Sequence, residues 1–117
     1  MDKVAWMALL FDFYGQLLTK KQKSFIDLYY GHDLSLGEIA ENYDVSRQAV
    51  YDSLKRSEKV LSDYEDKLGL VKRFLDQRKK LSEVARLLDE SEIKGSTESV
   101  VKARQMLARM LEISSEE

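Results

Sequence analysis

"LSLGEIAENYDVSRQAVYDSLKRSEKVL", residues 34–61, holds two helix starts close together. Ser35 followed three residues later by Glu38 is a capping box, in which each side chain satisfies a backbone N–H that the first turn of a helix leaves unpaired. Ser46 repeats the N-cap signal and opens a second helix. The first of the pair is short, ending near Tyr43, so the turn between them is very tight. Ala40 is small enough for close helix approach, and Ile39, Tyr43, Val45 and Val50 are the apolar contacts that would hold the pair together. The turn needs a residue that accepts positive φ, and Asp44 tolerates that region better than most non-glycine residues. A small residue, a turn residue four on, and an apolar residue six beyond that is the spacing of a helix-turn-helix.

The flanks extend the helical reading. A first helix is expected over residues 2–14, stopping near Gly15. The next starts at Thr19, whose capping partner is Gln22, and ends at Gly31; Phe25, Ile26, Leu28, Tyr29 and Tyr30 give it a broad apolar stripe. The helix opened by Ser46 looks long. Val50, Leu54, Ser57, Leu61, Tyr64 and Leu68 alternate steps of four and three, a heptad-like seam that should seek a partner. Gly69 is a break. A fifth helix is expected over residues 70–90, with Leu70, Phe74, Leu75, Leu81, Val84, Ala85 and Leu88 as its apolar positions. "ESEIKGST", residues 90–97, reads as a loop, after which Ser96 or Thr97 caps a last helix to about residue 113 and "SSEE" frays. That last helix offers Val100, Val101, Met106, Leu107, Met110 and Leu111 for folding back or for a second chain. Two domains are expected: residues 1–68 as head and long helix, and residues 69–117 as a helical appendage that could dimerise.

Composition agrees. The 117 residues contain no proline and five glycines, with 44% hydrophobic and 34% charged residues. Strand-type alternation is nowhere sustained, so the fold class is all-α: a tri-helical helix-turn-helix head, a long fourth helix and a helical C-terminal appendage. The absence of cysteine excludes disulfides, thiolate catalysis and cysteine zinc sites, and fits a cytoplasmic location. The apolar run "VAWMALLFDFY" is too short to span a bilayer and carries Asp12, so it reads as a core helix or a dimer face and no membrane insertion is expected. Phe11, Phe13, Tyr14, Tyr29 and Tyr30 read as core, and Trp6 as core or dimer interface.

Chemistry for an enzyme is missing. The single histidine, His32, has only Asp33 beside it; no nucleophile elbow, glycine-rich phosphate loop or ligand cluster is present. No catalytic residue, metal or cofactor is therefore assigned. The helix after Ser46 instead presents Arg47, Gln48, Tyr51, Asp52 and Lys55 on its polar face. In a major groove, Arg47, Gln48, Tyr51 and Lys55 would meet base edges, arginine suiting guanine and glutamine suiting adenine. Ser46 at the helix start, Arg56 and Lys59 would hold phosphates. Asp52 is awkward unless it meets cytosine or pairs internally with Lys55 or Arg56, and a plain solvated helix face is the alternative for the whole set. The basic run "KRFLDQRKK", residues 72–80, reads as a solvated face. A net charge of −2 weighs against DNA, although local basic surface survives.

The run from "FDFYGQLLTKKQKSFIDLYYG" through "LSLGEIAENYDVSRQAVYDSLKRSEK" resembles the YlxM-like family of helix-turn-helix proteins. The likeness covers residues 7–68 and fades beyond; "LTKKQ", "LYY", "LSLGEIA" and "VSRQAVYD" carry it. The family's turn residue is more usually glycine, a departure here at Asp44. The resemblance implies a head similar to region 4 of bacterial sigma factors. Family members are encoded beside the signal recognition particle GTPase in many Gram-positive bacteria. It therefore implies a regulator of those genes or a partner in that pathway. The expected partners are double-stranded DNA, components of the signal recognition particle and a second copy of the chain, as a homodimer. The alternative keeps the same head as a protein or ribonucleoprotein interaction module without DNA binding.

Overall fold

The computed structural model describes residues 1–116, with side chains described through Glu112. The described residues form six α-helices and no strand: α1 (Lys3–Tyr14), α2 (Lys20–Ile26), α3 (Leu36–Tyr43), α4 (Arg47–Leu68), α5 (Leu70–Lys94) and α6 (Thr97–Glu116). A short 3₁₀ turn, Gly15–Leu17, follows α1, and a π-turn, Asp27–Gly31, prolongs α2 to the glycine expected to end it. The chain divides into two compact units, Met1–Val71 and Lys72–Glu117.

The starts of the head's helices lie where short-range chemistry puts them. Asp2 caps α1 by accepting from the Ala5 N–H at 2.8 Å. Both capping boxes form: Thr19 with Gln22 and Ser35 with Glu38, each with its two reciprocal hydrogen bonds. Each such cap is worth about 1 kcal/mol.

In the first unit, α4 is the central post against which α1, α2 and α3 pack. Val50, Leu54, Ser57 and Leu61 of its seam are buried, facing Leu10, Tyr14, Phe25, Ile26 and Ile39 in one core. Fully burying an aliphatic or aromatic side chain of this size contributes about 1.5–3 kcal/mol. The seam therefore finds its partner within the head, and only Leu68 at its far end is left exposed. Ser57 keeps its hydroxyl satisfied by donating to the Ser53 carbonyl at 2.9 Å, so small residues let neighbouring helices approach without an orphaned polar atom. The aromatic group expected in the core is more divided: Tyr14 is buried, whereas Phe11, Phe13, Tyr29, Tyr30 and Trp6 are half-buried.

One buried network was not foreseen. The Tyr14 hydroxyl donates to Glu65 Oε1 at 2.6 Å and accepts from the Leu70 N–H at 3.1 Å. Glu65 Oε1 also accepts from the Val71 N–H at 3.0 Å. Two unpaired first-turn donors of α5 are thus capped from α1 and α4 rather than by a local Ser or Asp.

The second unit is a helical hairpin whose core is Val84, Leu87 and Ala103 with Met106 against them. This differs from the expected register: Leu81 and Leu88 are exposed, and Leu87 takes the buried place. The stretch read as a loop is mostly helix. α5 continues through Lys94 because Glu90 and Lys94 are good helix formers, and Glu90 lies 3.0 Å from Arg86 and 3.7 Å from Lys94. The connection is only Gly95 and Ser96: Gly95 adopts φ 67°, which a side chain would resist, and its N–H returns to the Ser91 carbonyl at 2.7 Å. Ser96 then caps α6 through the Ser99 N–H at 3.5 Å. α6 runs through Glu116, past the end expected near residue 113, so the stretch read as a frayed tail is helical up to that point; residue 117 lies outside the described residues.

Candidate nucleic-acid interface

The turn between α3 and α4 is the one the sequence requires. Asp44 lies in the left-handed region at φ 53°, ψ 49°. The Val45 N–H reaches back to the Ala40 carbonyl at 3.1 Å, and the Asp44 N–H to Glu41 at 3.4 Å, which is the Schellman closure. Ala40, Ile39 and Val50 are buried as expected; Tyr43 is largely exposed yet holds α3 to α2 by meeting the Phe25 ring edge-on at 4.9 Å. Ser46 caps α4 by accepting from the Ala49 N–H at 3.0 Å.

At about 100° per residue, burial of Val50, Ser53, Leu54, Ser57 and Leu61 turns Gln48, Asp52, Lys55 and Lys59 straight outward. Arg47 and Tyr51 flank that line on one side and Arg56 on the other. The structure thus brings Gln48, Tyr51 and Lys55 to one open face, but it separates the expected phosphate contacts. Lys59 stands twelve residues from Arg47, about 18 Å along the axis, and lies 3.0 Å from Asp63. Arg56 instead lines a cleft of about 390 Å³ with Thr19, Lys21, Gln22 and Asp52.

None of the side chains expected to read bases is idle. The Arg47 guanidinium lies against α3 where Gly37 has no side chain; a Cβ there would stand 3.2 Å from Arg47 Nε. Gln48 Nε2 donates to Asp52 Oδ1 at 2.9 Å, so the awkward carboxylate pairs with glutamine rather than with Lys55 or Arg56. Lys55 Nζ sits 5.4 Å above the Tyr51 ring and 3.7 Å from Glu58. Apart from the Arg47 contact, these partners all lie on α4 itself, one turn away, and are solvent-exposed except Glu58. Such contacts are worth tenths of a kcal/mol and can be exchanged for a ligand.

Glu58 is the polar residue that sequence reasoning missed. It is nearly buried, lies 3.1 Å from Lys3 Nζ, and accepts from Tyr30. Burial first, and then this hydrogen bond, pushes the Tyr30 hydroxyl up to about 12. The hydrogen bond to Glu58 also holds the Lys3 ammonium charged well above the ordinary lysine range. No periodicity announces Glu58; it interrupts the polar face with a carboxylate placed to draw Lys55 inward. Lys21, in the "KKQK" run behind Thr19 expected to offer further phosphate contacts, stacks over Phe25 at 5.8 Å and stands in the Arg56 cleft.

The two flanks differ in sign. Lys20, Lys21 and Lys23 occupy the first turn of α2 without an acid among them, whereas α3 and its turn expose Glu38, Glu41 and Asp44. Among the described residues no group of three His, Cys, Asp or Glu could hold a metal ion, and no helix is long and apolar enough to cross a membrane.

Comparison with known proteins agrees with this geometry. A family model described as "Putative helix-turn-helix protein, YlxM / p13 like" matches residues 1–104. The chain belongs to that family. A UPF0122 protein of Desulforamulus reducens is 55% identical over 104 residues, 89% of each chain. A UPF0122 protein of Bacillus mycoides is 53% identical over 92 residues, covering 79% of this chain and 84% of the relative. The family match reaches further than the likeness legible in the motifs, which faded after Leu68: it takes in all of α5 and the first turns of α6.

Proposed function

We propose that this chain is a DNA-binding regulatory protein whose head lays the N-terminal half of α4 in the major groove. The observation that carries the reading is the open face of α4. Gln48, Tyr51 and Lys55 point away from the core on a helix set by a complete helix-turn-helix turn, and nothing else in the head covers them. Arg47 reads from the α3 side once it leaves Gly37, and Lys21 with Arg56 lines the other side for a phosphate strand. Ser46 is occupied as the cap, so its contribution to a phosphate is the helix start it organises.

The test is fluorescence anisotropy of the purified chain on duplex fragments from its own chromosomal neighbourhood, across a salt series. Contact with ~3–5 phosphates gives a log–log slope of roughly −3 to −4. Arg47→Ala or Gln48→Ala relaxes sequence preference, and Arg56→Ala weakens all sequences alike. Absence of binding at low salt refutes the proposal.

A second reading rests on the acidic α3 flank. Glu38, Glu41 and Asp44 repel phosphate beside the reading helix, and suit a basic protein or ribonucleoprotein surface such as a signal recognition particle component. Pull-down that survives Arg47→Ala but is lost on reversing Glu41 would favour it.

A further inference from the structure

The hairpin of α5 and α6 leaves much of its apolar surface open. Besides the small core, Leu81, Leu88 and Leu111 are 49%, 46% and 70% exposed. Leu81, Ala85 and Leu88 share one line of α5, about a quarter turn from the line that buries Val84 and Leu87. Val100, Leu107 and Leu111 form the matching line on α6, about a quarter turn from Ala103 and Met106 in the same rotational sense. Val84 and Leu87 pack with Ala103 and Met106, and Lys80 lines one cleft with Met106 and Met110, so the helices run antiparallel, and equal rotation on antiparallel neighbours turns both lines to one side. The hairpin therefore has a second, continuous apolar face. A unit of this size has little core of its own, and such chains usually gain one by association.

The charges around that face say what covers it. Most ions of the hairpin are satisfied internally: Arg86 takes Glu83 at 2.6 Å and Glu90 at 3.0 Å, Lys80 takes Asp76 at 3.1 Å, and Lys102 takes Glu98 at 3.5 Å. Like those of Lys79, Asp89, Arg104 and Arg109, the side chains of Arg78 and Glu92 have no ionic partner among the described residues, and Arg78 lies over the Phe74 ring. Arg78 and Glu92 are placed symmetrically about one position of α5. Both flank the Leu81–Leu88 line on the same edge. They stand seven residues before and seven residues after Ala85, two turns or about 10.5 Å in each direction.

We infer that this face binds a second copy of the chain, the two α5 helices running antiparallel about a two-fold axis at Ala85. That symmetry sets Arg78 of each copy level with Glu92 of the other, twice, and brings Leu81 and Leu88 of opposite copies to within one residue's rise, about 1.5 Å. Alanine at the axis permits the close helix approach the arrangement needs. A parallel pairing would set Arg78 against Arg78, so the charges also exclude the wrong register. The seam of α4, for which a second chain and self-burial were equally allowed, is spent inside the head and plays no part.

The experiment is light scattering and sedimentation of the full chain over a wide concentration range, without DNA, so that its outcome is independent of the proposed function. A dimer is expected. Leu81→Asp with Leu88→Asp gives a monomer of unchanged helical content, because both residues are exposed. Arg78→Glu and Glu92→Arg each weaken the dimer about ten-fold through like charges at two symmetric contacts, and the double swap restores it. The chain has no cysteine. Ala85→Cys should therefore cross-link to itself under mild oxidation far faster than Lys102→Cys on another face. A monomer at every concentration overturns the inference and gives the face to a different partner. A dimer indifferent to the charge swap, with no preferential link at residue 85, overturns it as well.

Discussion

Replacing Tyr14 by phenylalanine removes one oxygen from the head and should be costly for so small a change. The ring is fully buried and stacks on Tyr64 at 5.9 Å, contacts that phenylalanine keeps. What is lost is the hydroxyl's donation to Glu65 at 2.6 Å and its acceptance from the Leu70 N–H at 3.1 Å. A short bond to a carboxylate contributes about 1.5–3 kcal/mol. The Leu70 N–H stands at a half-open helix start where water can partly replace the oxygen, so its loss adds less than about 1 kcal/mol. Glu65 keeps the Val71 N–H and is not left bare. Relief from burying a phenol offsets part of the sum, and a loss of about 2 kcal/mol remains. For a chain of this size that lowers Tm by roughly 8 °C. Urea denaturation followed by circular dichroism measures the global loss, and amide exchange at Leu70 gives a local readout that a general packing defect would not single out. A loss below about 0.5 kcal/mol, with exchange at Leu70 unchanged, would refute the view that this hydroxyl caps α5.

Other outcomes follow from the same geometry. Tyr14 is held above the ordinary tyrosine range by burial and then by Glu65, and Tyr30 is raised to about 12 by burial and then by Glu58. Above about pH 10 the unfolded chain therefore releases protons that the folded chain keeps, so the contribution of these two tyrosines to stability is constant below pH 10 and falls above it. Tyr30→Phe should make that fall shallower in urea titrations across alkaline pH. Asp44→Val should cost about 1–2 kcal/mol, because a β-branched residue resists φ 53°, while Asp44→Gly should not destabilise; urea midpoints decide it. Asp52→Asn keeps an amide partner for Gln48 while removing a carboxylate from the reading face, and should tighten DNA about three-fold at low salt by anisotropy. Arg56→Ala should reduce the salt slope by about 1, while Lys59→Ala, farther down α4 and paired with Asp63, should leave it nearly unchanged.

How far the chain could be read ahead of its structure depended on the range of the signal. Thr19, Ser35 and Ser46 announce helix starts because a cap acts within three residues, and Asp44 announces the turn because its conformational tolerance is its own. The α4 periodicity correctly marks a buried face but says nothing of what buries it; α1, α2 and α3 do so, where a second chain was equally allowed. In α5, leucines at 81 and 88 and at 84-adjacent position 87 compete for the core, and only the facing Ala103 and Met106 choose between them. The positions of Gln48, Tyr51 and Lys55 on one open face were legible from helical spacing. The burial of Glu58 and the seat of Arg47 were not, since Glu58 is enclosed by Lys3 and Tyr30 and Arg47 rests on Gly37, neighbours distant in sequence.

The net charge of −2 seemed to count against nucleic acid, yet a sum is the wrong quantity when charges are screened beyond about 10 Å. Asp63, Asp76, Glu83, Glu90 and Glu98 each face a cation one turn away on their own helix, and such pairs nearly cancel at a distance. In the head, Lys20, Lys21, Lys23 and Arg56 have no ionic partner among the described residues, and neither do Glu41 and Asp44 on the opposite flank. The head is thus polar in the electrostatic sense, attracting phosphate on the α2 side and repelling it on the α3 side. A duplex received by this surface would be held along one strand more strongly than the other, so on the proposed reading Lys21 and Arg56 would carry the load and the salt slope would stay small. The same asymmetry would let a basic protein surface compete as a partner, docking by the other flank.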